Sequence, residues 1–220
     1  MKENILKLTP KTEATEKKYL YHKVPDDMTL SEDGSKILYP LNELKERFPE
    51  VYAEKMKKYY SEDGREEIPG WSIPTLENTK WGDVLQMSAV HPQDLMDSLN
   101  DHDFYYKPMK FYQIDPEKLD PTKTTIFLDK DEVHQEGMDN FTEFNHDNLG
   151  DHSTVPQNTK EYYQEISDKN KELKLEYKDK EYPFLFKGVP HIFHRGPIDV
   201  SGFEEITAIS KDKDIKEKES

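Results

Sequence analysis

The chain has 220 residues, of which only 33% are apolar and 35% are charged, so its core must rest on 13 Tyr, 10 Phe and 2 Trp. That many rings argues against disorder despite a mean hydropathy of −1.02. The absence of cysteine excludes disulfides, thiolate metal sites and cysteine nucleophiles, and a net charge of −15 repels phosphate backbones and argues against general nucleic-acid binding.

In chain order, residues 1–17 read as a flexible tail, 18–210 as one α+β domain and 211–220 as a second, charged tail. Residues 19–24 alternate: Leu20, His22 and Val24 share one strand face, and Tyr19, Tyr21 and Lys23 the other. A turn at Ser31-Glu32-Asp33-Gly34 precedes the short apolar piece Ile37-Leu38-Tyr39. Pro40 opens a helix carrying Leu41 and Leu44; Pro49 opens another, with Tyr52, Met56 and Tyr59 on one stripe, ended by Asp63-Gly64. After a proline-rich loop, 81–90 reads as a strand opened by Trp81, and Pro92 starts a helix with Leu95, Met96 and Leu99 inward. His91 stands where it can cap that helix.

Strands are expected at 110–114 and 124–128, around turns at Asp115-Pro116 and Asp120-Pro121. A helix begins near Asn158 and Glu161, with Tyr162, Ile166 and Leu173 on its apolar stripe. Further strands are predicted at 173–177, 182–186, 189–194 and 206–209. Three or four helices followed by a strand-rich second half give an α+β class with a largely antiparallel, mixed sheet. No run approaches the length of a membrane span or a signal peptide, which predicts a cytoplasmic protein.

Phosphate-loop, GxSxG and HExxH patterns are all missing. Residues 129–152 hold eight acids against one base, Lys130. Within them Glu132-Val133-His134-Gln135-Glu136-Gly137, followed by Glu143, approaches a calcium loop, with Gly137 at the turn and Glu143 at the bidentate position. Glu132 in first place, His134 at an oxygen-ligand position and a strand-like lead-in depart from that pattern, so no metal ligand is assigned and the stretch reads as a solvated acidic loop. A looser metal site would draw on His134, His146 or His152 with Asp147 or Asp151. In a strand His191 and His194 point to opposite faces, and His191 shares its face with Arg195, a pair suited to an anionic group.

The run Tyr19-Leu20-Tyr21-His22-Lys23-Val24-Pro25 resembles the first strand of ADP-ribosyltransferase-like enzymes, in which an aromatic–histidine strand holds the ribose of NAD. That group includes toxin-type DNA ADP-ribosyltransferases and RNA 2′-phosphotransferases. Residues 109–119 running into 124–128 are similar to a mid-chain strand pair of the group, and 191–200 with 205–210 to its closing strands. The resemblance implies NAD as cofactor, held by His22, Tyr39 and Arg195, and catalytic positions at His22, His191 and Glu205. It departs at one point: His191 stands where the catalytic glutamate falls, with Glu204 and Glu205 later, so binding with slow or absent transfer is expected. Two other readings stand beside it. One is a non-enzymatic inhibitor or nucleic-acid mimic that offers its acidic surface to a basic protein; the other is a metal-binding protein using 129–152.

Overall fold

Strand β1, Leu20–Lys23, forms where the alternation predicts it, with Leu20 and Tyr21 buried on opposite faces. The structure, a computed structural model, describes residues 17–26, 33–60, 66–128, 140–176 and 179–211. The Asp63-Gly64 turn, the first half of the turn at 31–34, the heart of the acidic stretch and nearly all of both tails lie outside those residues. Strand β2 is the pair Ile37–Leu38; Pro40 then precedes helix α1, Leu41–Arg47, and Pro49 opens α2, Pro49–Tyr60.

The strand expected from residue 81 starts later. Trp81–Asp83 make a 3-10 turn held by the Lys80 N–H donating to Asp83 Oδ2 (2.8 Å), and β3 is Val84–Met87. Gly82 lets α1 pack against this turn, because a Cβ there would lie 2.7 Å from Asn42 Oδ1. His91 caps α3, Pro92–Asn100, its Nδ1 accepting the Gln93 N–H at 3.1 Å. Strands β4, Met109–Ile114, and β5, Thr124–Phe127, are joined through two 3-10 turns in which Asp115 and Asp120 accept the N–H groups of Glu117 and Thr122. Then come β6, Phe141–Glu143, helix α4, Gln157–Glu172, and strands β7, His191–Arg195, β8, Ile198–Asp199, and β9, Glu204–Ala208.

Every strand pair is antiparallel: one sheet is ordered β1-β4-β9, a second β3-β7-β5-β6, and β2 pairs with β8. The α+β class expected from the sequence is the observed one. Helices α3 and α4 cover one face of the β1-β4-β9 sheet, where Tyr21, Phe111 and Ala208 meet Met96, Leu99 and Tyr163. Its other face packs on the second sheet through Leu20, Tyr112, Leu85, Ile126 and Ile192. The loop carrying Ile73 and Leu76 covers the far side of that sheet, against Val84 and Phe193.

Two predicted strands do not form. Residues 173–176 continue from α4, with Leu173 exposed and Lys174 at φ 51°, so the buried stripe of α4 runs through Tyr163 and Ile166 rather than Tyr162 and Leu173. Residues 182–184 have no regular structure and 185–186 belong to a turn, and none of them joins a strand ladder. Side chains take over the ladder's role there: Tyr106 Oη donates to the Pro183 carbonyl, Tyr163 Oη to that of Leu185, and the Phe184 N–H donates to Tyr162 Oη. Among the described residues no helix is long and apolar enough to cross a membrane.

Candidate functional site

The two main sheets touch at one rung and then separate. Tyr21 N–H donates to Ser88 O (2.8 Å) and Ser88 N–H to Tyr21 O (3.0 Å), which joins β1 to the end of β3. Extending that register would pair Lys23 with Gln86 and then Pro25 with Val84. The next rung is not made. Gln86 O instead accepts from His22 Nδ1 at 2.8 Å, and Pro25 has no N–H to offer at the rung beyond. A side chain thus replaces a ladder bond, the strands splay, and a cleft of about 580 Å³ opens between them.

Residues from β1, β2, α1, α2, β3 and the start of β7 line this cleft, His22, Tyr39 and His191 among them. His22 is half-buried, and because a carbonyl can only accept, its proton sits on Nδ1 and its Nε2 is left as an acceptor. Burial pushes the His22 pKa below its ordinary value; the Gln86 bond opposes this and the charge of Lys55 adds to it. The ring is therefore neutral at pH 7. Tyr39 follows β2, its ring packed against Phe48 at 5.6 Å with the Arg47 guanidinium 5.2 Å away. His191 is near-parallel to Phe193, with centroids 6.2 Å apart, and tilted against Phe186.

The charge of the cleft runs against that of the chain. Its lining includes the cations Lys23 and Lys55, while Asp26 is the one carboxylate among the described lining residues. Strand alternation supplies two further polar groups. The backbone of Tyr21 bonds β3 and that of Val24 bonds Lys110 O in β4, so the N–H and C=O of Lys23 point away from β4, toward the opening.

Two residues expected at the site are elsewhere. Arg195 lies four residues along β7 from His191, roughly 13 Å away in an extended strand. Its guanidinium donates to Glu77 O (3.2 Å) and tethers the 72–80 loop. Glu205 lies opposite Tyr112 in β9 and pairs with Lys36 Nζ at 3.1 Å and Lys110 Nζ at 3.9 Å. Neither lines the cleft, so neither supplies its anion site or its carboxylate.

Conversely, Lys55 and Gln86 went unread in the sequence. A signal for Lys55 was there: Val51, Lys55 and Tyr59 recur at four-residue spacing and form the cleft-facing stripe of α2.

Of the other histidines, His91, His102, His146 and His194 are tied into structure. His194, on the other face of β7 from His191, is buried with its Nδ1 2.9 Å from Thr124 Oγ1. His146 Nε2 donates to Pro116 O at 3.0 Å. Among the described residues no three His, Asp or Glu side chains gather as metal ligands. His134, Glu132, Glu136 and Gly137 lie outside those residues. No family model, curated protein or solved structure matches this chain.

Proposed function

We propose that the cleft between β1 and β3 binds NAD or a closely similar phosphate-bearing dinucleotide, and that transfer chemistry on it is weak or absent. The observation that carries this reading is the gathering of His22, Tyr39 and His191, from three separate parts of the chain, in the lining of one cleft. The neutral His22 offers Nε2 as acceptor to a ribose hydroxyl, and Tyr39 offers a ring face to a planar heterocycle. The outward N–H and C=O of Lys23 complement a carboxamide such as that of nicotinamide, which has one acceptor and one donor on its edge.

Transfer from such a ligand builds positive charge on the ribose, which a carboxylate would stabilise. An imidazole at His191 supplies no negative charge, and Glu205 is held outside by Lys36 and Lys110. We place the protein in the cytosol, in keeping with its lack of cysteine.

Calorimetric titration with NAD and an assay of nicotinamide release test the proposal. Binding below millimolar is expected, weakened roughly five- to tenfold in His22→Ala for the loss of one hydrogen bond. Release should stay near background in wild type and in Glu205→Gln. Absence of NAD binding at millimolar concentration overturns the reading, and release abolished by Glu205→Gln overturns the claim about the carboxylate.

A further inference from the structure

We propose that a second cavity, which shares no lining residue with the β1/β3 cleft, is a seat for inorganic phosphate in its hydrogen-phosphate form. It lies where the C-terminal ends of α3 and α4 meet the chain at Lys180, and its volume of about 190 Å³ suits a compact ion rather than a nucleotide. Both helices close in the same way. Asp103 N–H donates to Asn100 O (3.1 Å) and Phe104 N–H to Leu99 O (3.1 Å); Lys174 N–H donates to Lys171 O (3.1 Å) and Leu175 N–H to Asn170 O (3.1 Å). Such a closure puts one residue in the left-handed region, and glycine is the usual choice. Here those residues are Asp103 at φ 65° and Lys174 at φ 51°, and both line the cavity. Charged side chains thus stand where the backbone alone favours glycine, which points to a use for them.

The lining holds three lysines, Lys171, Lys174 and Lys180, against one carboxylate, Asp103, which pairs with Lys171 at 3.8 Å. Its side chains are therefore net cationic in a chain of net charge −15. The two helix ends contribute about half a negative charge each, weakened because four of their carbonyls are already bonded, so the lysines prevail. Lys180 is half-buried, and the backbone next to it is clamped: buried Asn170 donates from Nδ2 to Glu181 O (2.8 Å) and accepts the Glu181 N–H at Oδ1 (3.0 Å). Buried Phe104 and the buried hydroxyl of Ser167 complete the wall, and partial exclusion of water there strengthens the pull on an anion.

Two acceptors decide which anion fits. The Asp103 carboxylate can only accept, and the His102 ring, whose Nδ1 bonds Ser98 O at 2.7 Å, keeps Nε2 as an acceptor in its neutral form. Hydrogen phosphate brings a proton to donate to such a group. Sulfate brings none and meets Asp103 as an uncompensated like charge.

Calorimetric titration with inorganic phosphate, sulfate and chloride at matched ionic strength tests this on wild type, Lys180→Gln, Lys174→Gly, Asp103→Asn and His22→Ala. Phosphate should bind between about micromolar and millimolar, within the ceiling for so small a ligand. Lys180→Gln should weaken it about tenfold or more. Lys174→Gly should weaken it about two- to fivefold at that exposed position. The same variant should melt no lower than wild type, because glycine fits the left-handed turn, so loss of ligand is separated from loss of fold. Wild type should prefer phosphate to sulfate by about tenfold or more, and Asp103→Asn should narrow that preference. His22→Ala should bind phosphate as wild type does. No phosphate binding at several millimolar, or binding unchanged in Lys180→Gln, overturns the site. Equal affinity for sulfate and phosphate overturns the identity of the ion, and loss of phosphate binding in His22→Ala would move the ion to the β1/β3 cleft and overturn this seat.

Discussion

His22 and His194 are both carried on strands, both bond an oxygen through Nδ1, and both are driven toward the neutral form by burial. Their seams differ. His194 lies in β7, which is paired along its length with β3 on one side and β5 on the other. Its partner Thr124 spends its one proton on Asp120 O at 2.8 Å, so the hydroxyl accepts from His194 and the arrangement is closed. His22 lies in β1, which is fully paired with β4 but meets β3 at a single rung. The histidine is common to both places; the opened ladder is what gives one of them a cleft.

The largest difference should appear in stability. Phe193, on the closed side, is fully buried, stacked on Phe127 at 5.5 Å and met edge-on by Trp81 at 4.7 Å. Phe193→Ala should cost about 3–5 kcal/mol in urea denaturation. A cost below about 1 kcal/mol would mean that the far face of the second sheet is not the packed layer described above.

Acid should separate the two seams next. Burial, with the charges of Lys123 and Arg195 outweighing that of Asp120, lowers the His194 pKa to about 4, against 6.5 for an unperturbed histidine. As pH falls below 6.5 the unfolded chain takes up this proton first. The stability is thus fully present above that value and is lost progressively down to about pH 4, with a total on the order of 3 kcal/mol. Denaturation of wild type and His194→Gln across this window should show the acid limb shrinking in the variant. His22 titrates in the same direction, so part of the limb should remain. An unchanged limb would assign it to other groups.

The smallest effect is expected at Pro25. If its missing N–H helps to keep the ladder from closing, Pro25→Ala restores a donor opposite Val84 at the cost of some chain stiffness, and stability should change by less than about 1 kcal/mol. Ligand affinity should fall as the strands gain a reason to pair. Unchanged affinity would leave the His22–Gln86 bond as the sole wedge.

Much of the local structure could be read directly: the alternation of β1, the prolines that open α2 and α3, the His91 cap and the two Asp-Pro turns. Each depends on backbone angles and hydrogen bonds within a few residues, so the chain carries its own instructions there. His22 and Tyr39 were legible as site residues only through a resemblance and His191 also as half of an anion-binding pair with Arg195, but their meeting in one cleft depends on sheets whose pairing no local pattern encodes. Residues 182–186 have strand-like composition, but a strand also needs an unpaired edge beside it. Tertiary packing gave those carbonyls tyrosine hydroxyls from Tyr106 and Tyr163 instead. Arg195 and Glu205 carry suitable chemistry and were drawn away by Glu77, Lys36 and Lys110, partners more than ninety residues distant in sequence. Lys55 lines the cleft for the same reason, because the face of a helix that looks into a cleft is decided by what the other elements leave open.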